Sequence, residues 1–307
     1  MGLANSIIKS FKSCTFTLQE AYNKFPEWPT ASVRARIYEQ VGVAFQRIGR
    51  GIYFAGTEAE SIALIEGDGR NLSILKDCSI DCIITDHPWS DPKANKGGNR
   101  SFADYDCFQY KQEDFNEKAR VLKDGCFLVE MIPAETETNF EYLYHIKKMA
   151  QEAGFQYYAK VPWIKGDFIA NTGRKSKNSE EMLIFTKGKA RCMRPDAKKD
   201  KAEPGVKHYM SGANGMLPTD FNVQPPEKNQ RIHQAEKPIG LVEQLLHYLT
   251  FEGELVLDQF AGSGVVGAAC LKTNRKCILI EKSAECIAAI KKRLSLYCPV
   301  RTAVSVG

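Results

Sequence analysis

Two short stretches carry residue types that could do chemistry together. Asp86-His-Pro-Trp89 ends the apolar run Asp81-Cys-Ile-Ile-Thr85, so it is expected at the carboxyl end of a strand, where open α/β sheets place ligands. Asp258-Gln-Phe-Ala-Gly-Ser-Gly-Val-Val-Gly267 follows a second apolar run and opens an alanine-rich helix. The tetrapeptide suits methylation of an aromatic exocyclic amine. Such a nitrogen is a poor nucleophile because its lone pair is delocalised into the ring. Two acceptors on its two N–H bonds would bias it toward tetrahedral geometry and aim the lone pair at an electrophilic methyl. The Asp86 carboxylate supplies one acceptor and the main-chain carbonyl of His87 the other. Pro88 stiffens the turn, and Trp89 offers a face for an extruded base. No strong base is needed, since the proton becomes acidic once the methyl has transferred; acceleration comes from proximity and positioned acceptors. Alone, the tetrapeptide reads equally well as a polar turn after a core strand. The glycine loop changes that weighing.

Gly262, Gly264 and Gly267 satisfy G-x-G-x-x-G, with Glu281 near the acidic position of a dinucleotide fingerprint. Glycines there let the backbone turn sharply near the positive end of a helix. Two features favour a different cofactor. Asp258 ends the strand and Phe260 precedes the glycines, and a carboxylate so placed can meet the ammonium of an amino acid–nucleoside. The chain then runs only from Gly267 to Gly307, room for one more strand and helix, where a dinucleotide fold needs several further units. The remaining strands must come from earlier in the chain, as in a circular permutation. Glu281 would then accept hydrogen bonds from ribose hydroxyls.

The elements that must position these residues fall into segments of different texture. Residues 1–56 form a small unit: a helix with Leu18, Ala21, Tyr22 and Phe25 at helical spacing, a second helix with Val33, Ile37 and Val41 on one face, capped by Thr30 or Ser32, then a hairpin over Phe45 to Phe54. This order resembles a winged helix-turn-helix, which would place Arg34 and Arg36 near a groove and Arg47 or Arg50 on a phosphate backbone; a protein-packing module is the alternative. Residues 57–188 alternate apolar runs (Ser61 to Glu66, Cys82 to Thr85, Cys126 to Ile132, Val161 to Ile164, Met182 to Thr186) with helical stretches, the pattern of an α/β sheet. Residues 189–230 are polar and proline-bearing, and residues 231–307 add strands at Leu255 to Leu257 and Cys277 to Ile280, each followed by a helix.

Together these residues resemble the DNA amino-methyltransferases of the permuted, beta-class order, in which the tetrapeptide comes first, a target-recognition insertion next and the glycine loop last. The likeness rests on Gly67-Asp68, Asp86-His-Pro-Trp89, Lys237-Pro238, Phe260-Ala-Gly-Ser-Gly264 and Glu281. It implies a Rossmann-like α/β methyltransferase sheet using S-adenosylmethionine, with the winged-helix-like unit appended. It implies that Asp68 lies near the cofactor's adenine, that the helix after Lys237 flanks its methionine end, and that Asp258, Phe260, Ala261, Gly262, Ser263, Gly264 and Glu281 line the rest. His87 departs from the family's commoner proline. Asp at the head of the tetrapeptide leans, by family, toward adenine N6, where Ser would lean toward cytosine N4.

The expected partner is duplex DNA with the target base flipped out. The segment Asp91 to Ser101, with Lys96 and Arg100, and Gly166 to Ser179, with Arg174, Lys175 and Lys177, read as basic loops facing the polyanion. The net charge of +5 permits such a partner without requiring it. A homodimer and a cognate restriction endonuclease are compatible partners. Ten cysteines without a Cys-x-x-Cys pair read as buried reduced thiols of a cytoplasmic protein, with no metal site, and no apolar run predicts a membrane span or leader. Two rivals remain from other classes: a DNA-binding regulator with a degenerate methyltransferase domain, and a nicotinamide-dependent dehydrogenase.

Overall fold

The computed structural model describes residues 2–11, 14–49, 51–55, 62–88, 107–169, 175–193, 217–227, 231, 236–296 and 303–305. Among them are two sheets. The smaller is built by α1 (Leu3–Ser10), β1 (Cys14–Thr17), α2 (Leu18–Lys24), α3 (Thr30–Glu39), β2 (Phe45–Gly49) and β3 (Ile52–Ala55). Its strands run antiparallel in the order β1-β3-β2 around a core of Ile7, Phe16, Val33, Ile37, Phe45 and Tyr53. The helices and hairpin fall close to where periodicity places them, except that α3 ends at Glu39 and leaves Val41 exposed beyond it, while α1 and β1 are additions. The expected cap differs: Pro29 is the N-cap of α3 and makes no side-chain bond. Pro29 sits there because its fixed φ suits the entry to a helix, which leaves Thr30 already inside the first turn. The side-chain cap belongs instead to α2, where Thr17 and Glu20 form a reciprocal capping box.

The larger sheet contains β4 (Ile62–Glu66), β5 (Ile80–Thr85), β6 (Leu122–Pro133), β7 (Phe155–Ile169), β8 (Lys175–Lys187), β9 (Phe221–Asn222), β10 (Leu255–Asp258), β11 (Lys276–Glu281) and β12 (Ala303–Ser305). Their order is β12-β4-β11-β10-β5-β6-β8-β7-β9. The strands from β12 to β6 are parallel, and β8 turns antiparallel against β6 and β7. Period-2 side-chain alternation sends Leu64, Cys82, Ile84, Val256 and Leu279 to one face and Ile65, Ile83, Leu257, Ile278 and Ile280 to the other. The first face is covered by α6 (Ile239–Leu249), α7 (Val265–Lys272) and α8 (Ala284–Leu294), the second by α4 (Gln112–Val121) and α5 (Phe140–Glu152).

Strand order shows why the late glycine loop can serve the early tetrapeptide. Although β10 comes far later in the chain, it lies beside β5, with Val256 opposite Cys82 and Leu257 opposite Ile83. From β10 the chain passes through α7 to β11 on one side; from β5 it passes through α4 to β6 on the other. The β5–β10 boundary is therefore the topological switch point, where the loops at the carboxyl ends part and leave a crevice.

Both ends of one expected loop, Gly166 to Ser179, are strand, and residues 170–174 lie outside the described residues. Gly166–Ile169 and Lys175–Ser179 continue β7 and β8, with Asp167 opposite Lys177 and Ile169 opposite Lys175. Antiparallel pairing extends through polar residues because the backbone ladder does not depend on side-chain polarity. Residues 221–222, within the expected insertion, pair with Trp163 and Ile164 at the sheet edge. Among the described residues no helix is long and apolar enough to cross a membrane, and no cluster of potential metal ligands occurs. Of the eight cysteines whose side chains are described, none is in a disulfide; Cys82, Cys126, Cys270 and Cys277 are buried, whereas Cys78, Cys107 and Cys192 are exposed, against the expectation of buried thiols.

Candidate active site

The turn after β10 is built by close backbone approach. A Cβ on Gly69 would lie 1.8 Å from the Gln259 carbonyl oxygen, so only glycine lets the β4 and β10 turns touch. The Gln259 amide donates to the Gly69 carbonyl (2.7 Å). Gly262 and Gly264 adopt φ of +48° and +72°, and Gly264 is the N-cap of α7. Gly267 serves packing instead. A Cβ there would meet Leu279 at 2.7 Å, so its absence allows α7 to lie close on β11. Ala261 donates its N–H to the Ile280 carbonyl (3.0 Å), tying the turn to β11. Ser263 is buried beside Arg293 of α8.

Glu281 fastens this turn. One carboxylate oxygen accepts the Gly262 N–H (2.7 Å) and the other the Ser283 N–H (2.8 Å). Each oxygen keeps a further lone pair, so hydroxyls of a ribose can still be accepted. Asp68 is exposed at the end of β4 and accepts the Arg70 N–H (3.0 Å). The half-buried Phe260 ring lies 5.4 Å from Phe108.

Asp258 is buried and accepts only the Phe260 N–H (3.2 Å) among its described hydrogen bonds. Burial, with Asp86 and Glu281 nearby, pushes its carboxyl up to about 8 despite that bond and Lys237. The Gln259 Oε1 of the next residue is buried without a hydrogen-bond partner among the described residues. A carboxyl raised by burial, an amide carbonyl with no partner among the described residues and the Glu281 carboxylate around a glycine turn fit a cationic amino acid–nucleoside. A pyrophosphate would meet like charge instead.

Asp86 follows β5 across the switch point. Its Oδ2 lies 2.5 Å from Lys237 Nζ, which also lies 3.1 Å from Glu180 Oε2. Burial lifts the Asp86 carboxyl above the ordinary carboxylate range against the pull of Lys237, while Asp86 and Glu180 raise the Lys237 ammonium despite its burial. Lys237 is delivered by its neighbours: buried Glu236 pairs with Arg293 of α8 (2.5 Å), and Pro238 is the N-cap of α6. The structure thus seats Lys237 on the Asp86 carboxylate, on the same side of the switch point as the tetrapeptide.

His87 faces inward. Only 1% exposed, its Nε2 lies 2.7 Å from the Tyr142 hydroxyl and its ring centroid 4.1 Å from that of Tyr110. Burial and the nearby Lys118 ammonium push the imidazole well below its usual range, so it is neutral. Where the sequence left the imidazole free to touch substrate, the structure turns it into the core, so its main-chain carbonyl is the part left for chemistry. Tyr110 is itself held by Glu130, whose second oxygen pairs with Lys118; both charges are fully buried. The single acid in the apolar run Cys126 to Ile132 is the sequence signal for that pair. Tyr142, Tyr110, Glu180 and Lys165 carry no such signal.

Trp89, Lys96, Arg100, Arg174 and Arg50 lie outside the described residues, and Lys175 and Lys177 are described only as backbone in β8. In the small N-terminal unit Arg34, Arg36 and Arg47 are exposed, Arg36 pairing with Glu39.

A family model described as DNA methylase, of the N6/N4 methyltransferases, matches residues 80–292. The chain belongs to the N6/N4 DNA methylase family. Type II methyltransferase M.HpaI of Haemophilus parainfluenzae is 30% identical over 233 residues, covering 73% of this chain and 70% of the relative. Two solved members share the fold. The M1.HpyAVI–SAM complex matches at TM-score 0.53 and 23% identity over 76% of this chain and 98% of its own. The cytosine-N4-specific PvuII DNA methyltransferase matches at TM-score 0.54 and 17% identity over 80% and 95%. Membership of the N6/N4 DNA methylase family excludes the dehydrogenase reading of the glycine loop.

Proposed function

We propose that this protein transfers a methyl group from S-adenosylmethionine to N6 of adenine in duplex DNA. The observation that carries the reading is the arrangement at the switch point: Asp86 follows β5 and Asp258 ends β10, just before the Gln259–Gly264 turn, the two strands being hydrogen-bonded neighbours. S-adenosylmethionine, when bound, supplies an electrophilic methyl on a sulfonium. Asp258 is suited to pair with its ammonium, Glu281 to accept from its ribose, and Asp68 to approach its adenine from the adjoining turn. Asp86 and the His87 carbonyl grip the two N–H bonds of the flipped base's amine, and Asp86 takes up the proton released as the N–C bond forms. Adenine is preferred over cytosine because the tetrapeptide begins with Asp. Cytosine N4 stands as the second reading because cytosine-N4-specific PvuII shares the fold.

Expression in a methylation-free bacterial strain followed by modification-aware sequencing tests this directly. N6-methyladenine at one recurrent sequence is the expected result. N4-methylcytosine would replace the first reading by the second, and an unmodified genome would favour a DNA-binding regulator.

We further propose that residues 1–56 form a winged-helix DNA-binding unit. Support comes from the order α1-β1-α2-α3-β2-β3 with β1 paired to β3, and from Arg34 and Arg36 exposed on α3. Deleting these residues is expected to weaken duplex affinity by about tenfold or more, with cofactor affinity within about twofold of the full chain. Equal loss of both affinities, or of neither, in parallel titrations would count against it. A partner endonuclease is an expectation carried by type II relatives alone.

A further inference from the structure

Four charged side chains from four segments meet beside the Asp86 carboxylate. Asp86 follows β5, Glu180 lies on β8, Lys165 on β7 and Lys237 precedes α6. Glu180 accepts from both lysines, through Oε1 from Lys165 and through Oε2 from Lys237, while Lys237 also holds Asp86. Their side chains are 29% (Asp86), 27% (Glu180), 18% (Lys165) and 8% (Lys237) exposed, and two positive charges balance two negative ones. The backbone is shaped to make this meeting. Ile164 pairs with Ser179 and Asp167 with Lys177, so β7 carries one extra residue at Lys165-Gly166. A bulge of this kind re-aims a side chain, and here it accompanies Lys165 onto Glu180, with the Lys165 ammonium 4.7 Å from the Trp163 ring centroid.

This arrangement sets a problem for methyl transfer. Oδ2 of Asp86 is held by an ammonium, so a target amine that is to bind that oxygen must displace it. An ammonium buried like that of Lys237 cannot leave without a counter-charge, and Glu180 is already within 3.1 Å of it. We infer that Glu180 is a positioning residue for the reaction, acting through Lys237: it receives the ammonium when the target amine takes its place on Asp86, so the cation stays paired throughout. Lys165, by holding the other Glu180 oxygen, keeps Glu180 from drawing Lys237 away before the base arrives. The inference rests on the reading that Asp86 grips the amine.

Among the described residues, Asp258 at the end of β10 and Glu130 on β6, the latter paired with Lys118 of α4, also act on Asp86 from packed elements. They are unchanged in both variants below, so differences between those variants report on the cluster. Removing the Glu180 charge leaves Asp86 beside two lysines and favours its ionised form. Removing the Lys165 charge does the reverse.

The test uses the full chain and a duplex bearing the sequence that wild type methylates. Glu180→Gln is expected to lower the single-turnover rate on its pH plateau by about tenfold and to weaken binding of the cofactor-free protein to the duplex several-fold. It should also shift the acidic limb of the rate profile to lower pH. Lys165→Met should shift that limb to higher pH, and Glu180→Asp should recover part of the Glu180→Gln loss. Opposite displacement of the two limbs is the signature that a purely structural role does not produce. Limbs that coincide with wild type, or that move in the same direction, overturn the inference. If Glu180→Gln fails to show wild-type stabilisation by cofactor in thermal melting, the direction of the Lys165→Met limb decides alone. A wild-type protein that methylates no DNA defeats the underlying reading instead, before any variant is compared.

Discussion

Asp86→Ala is expected to cut the single-turnover methyl-transfer rate by at least about 10²–10³-fold, the scale for losing one positioned polar group at a reacting centre. The melting midpoint and the affinity for S-adenosylmethionine should stay close to wild type. The asymmetry follows from the contacts. The amine loses one of the two acceptors that reshape its lone pair, and the remaining carbonyl can orient it only partly. The fold loses little, because Asp86 is 29% exposed on its side chain and Lys237 retains Glu180 at 3.1 Å. The proposed cofactor contacts are made by the β4, β10 and β11 turns, and Asp86 bears on them only through its charge near Asp258. Asp86→Asn should fall between, since an amide still accepts one hydrogen bond but cannot take up the released proton. Rapid-quench kinetics with labelled cofactor and calorimetric titration measure the two quantities. Wild-type rates in Asp86→Ala would remove the tetrapeptide from the chemistry.

Asp258→Asn should do the opposite: stabilise the cofactor-free protein and cost most of the cofactor affinity. Burial raises the Asp258 carboxyl from 3.8 to about 8. An acid whose folded value is raised binds its proton more tightly in the folded state. Its ionisation therefore destabilises the protein progressively as pH rises from 3.8 to about 8, and fully above that. The full penalty is on the order of a few kcal/mol, and asparagine never incurs it, so the melting midpoint of the variant should exceed wild type most clearly above pH 8. A bound ammonium needs the ionised carboxylate, so wild-type binding should release a proton and strengthen with pH, by up to about tenfold per pH unit below that value. Calorimetry in two buffers of different ionisation heat counts the proton directly. The variant should bind at least about tenfold more weakly near pH 8, with no proton released. Binding of equal strength from pH 6 to 8 in wild type would separate Asp258 from the cofactor.

These two residues also mark how far reasoning from residues alone can reach. Asp86 and Asp258 each end a short apolar run and begin a turn with its own chemistry, so strand, turn and role are written in one local stretch. The same holds for Gly262, Gly264 and Glu281, whose spacing is set by one strand–turn–helix unit. The permutation was legible too, because the motif order leaves nowhere else for the missing strands. The small N-terminal unit was half legible: helices and hairpin follow periodicity, but β1 becomes a strand only by pairing with β3.

Local sequence thus sets the strands, the glycine turn and the two acids at the strand ends, because each depends on residues within one or two turns of chain. Which lysine meets which acid is decided by tertiary structure. Lys237 reaches Asp86 across 151 positions of sequence, and Glu180 and Lys165 join them through a strand register and a bulge that no periodicity predicts. His87 is buried for the same reason: its neighbours Tyr110 and Tyr142 come from other elements. A buried charge is stable only among partners that folding assembles, so the charge cluster around Asp86 exists only once the sheet has formed.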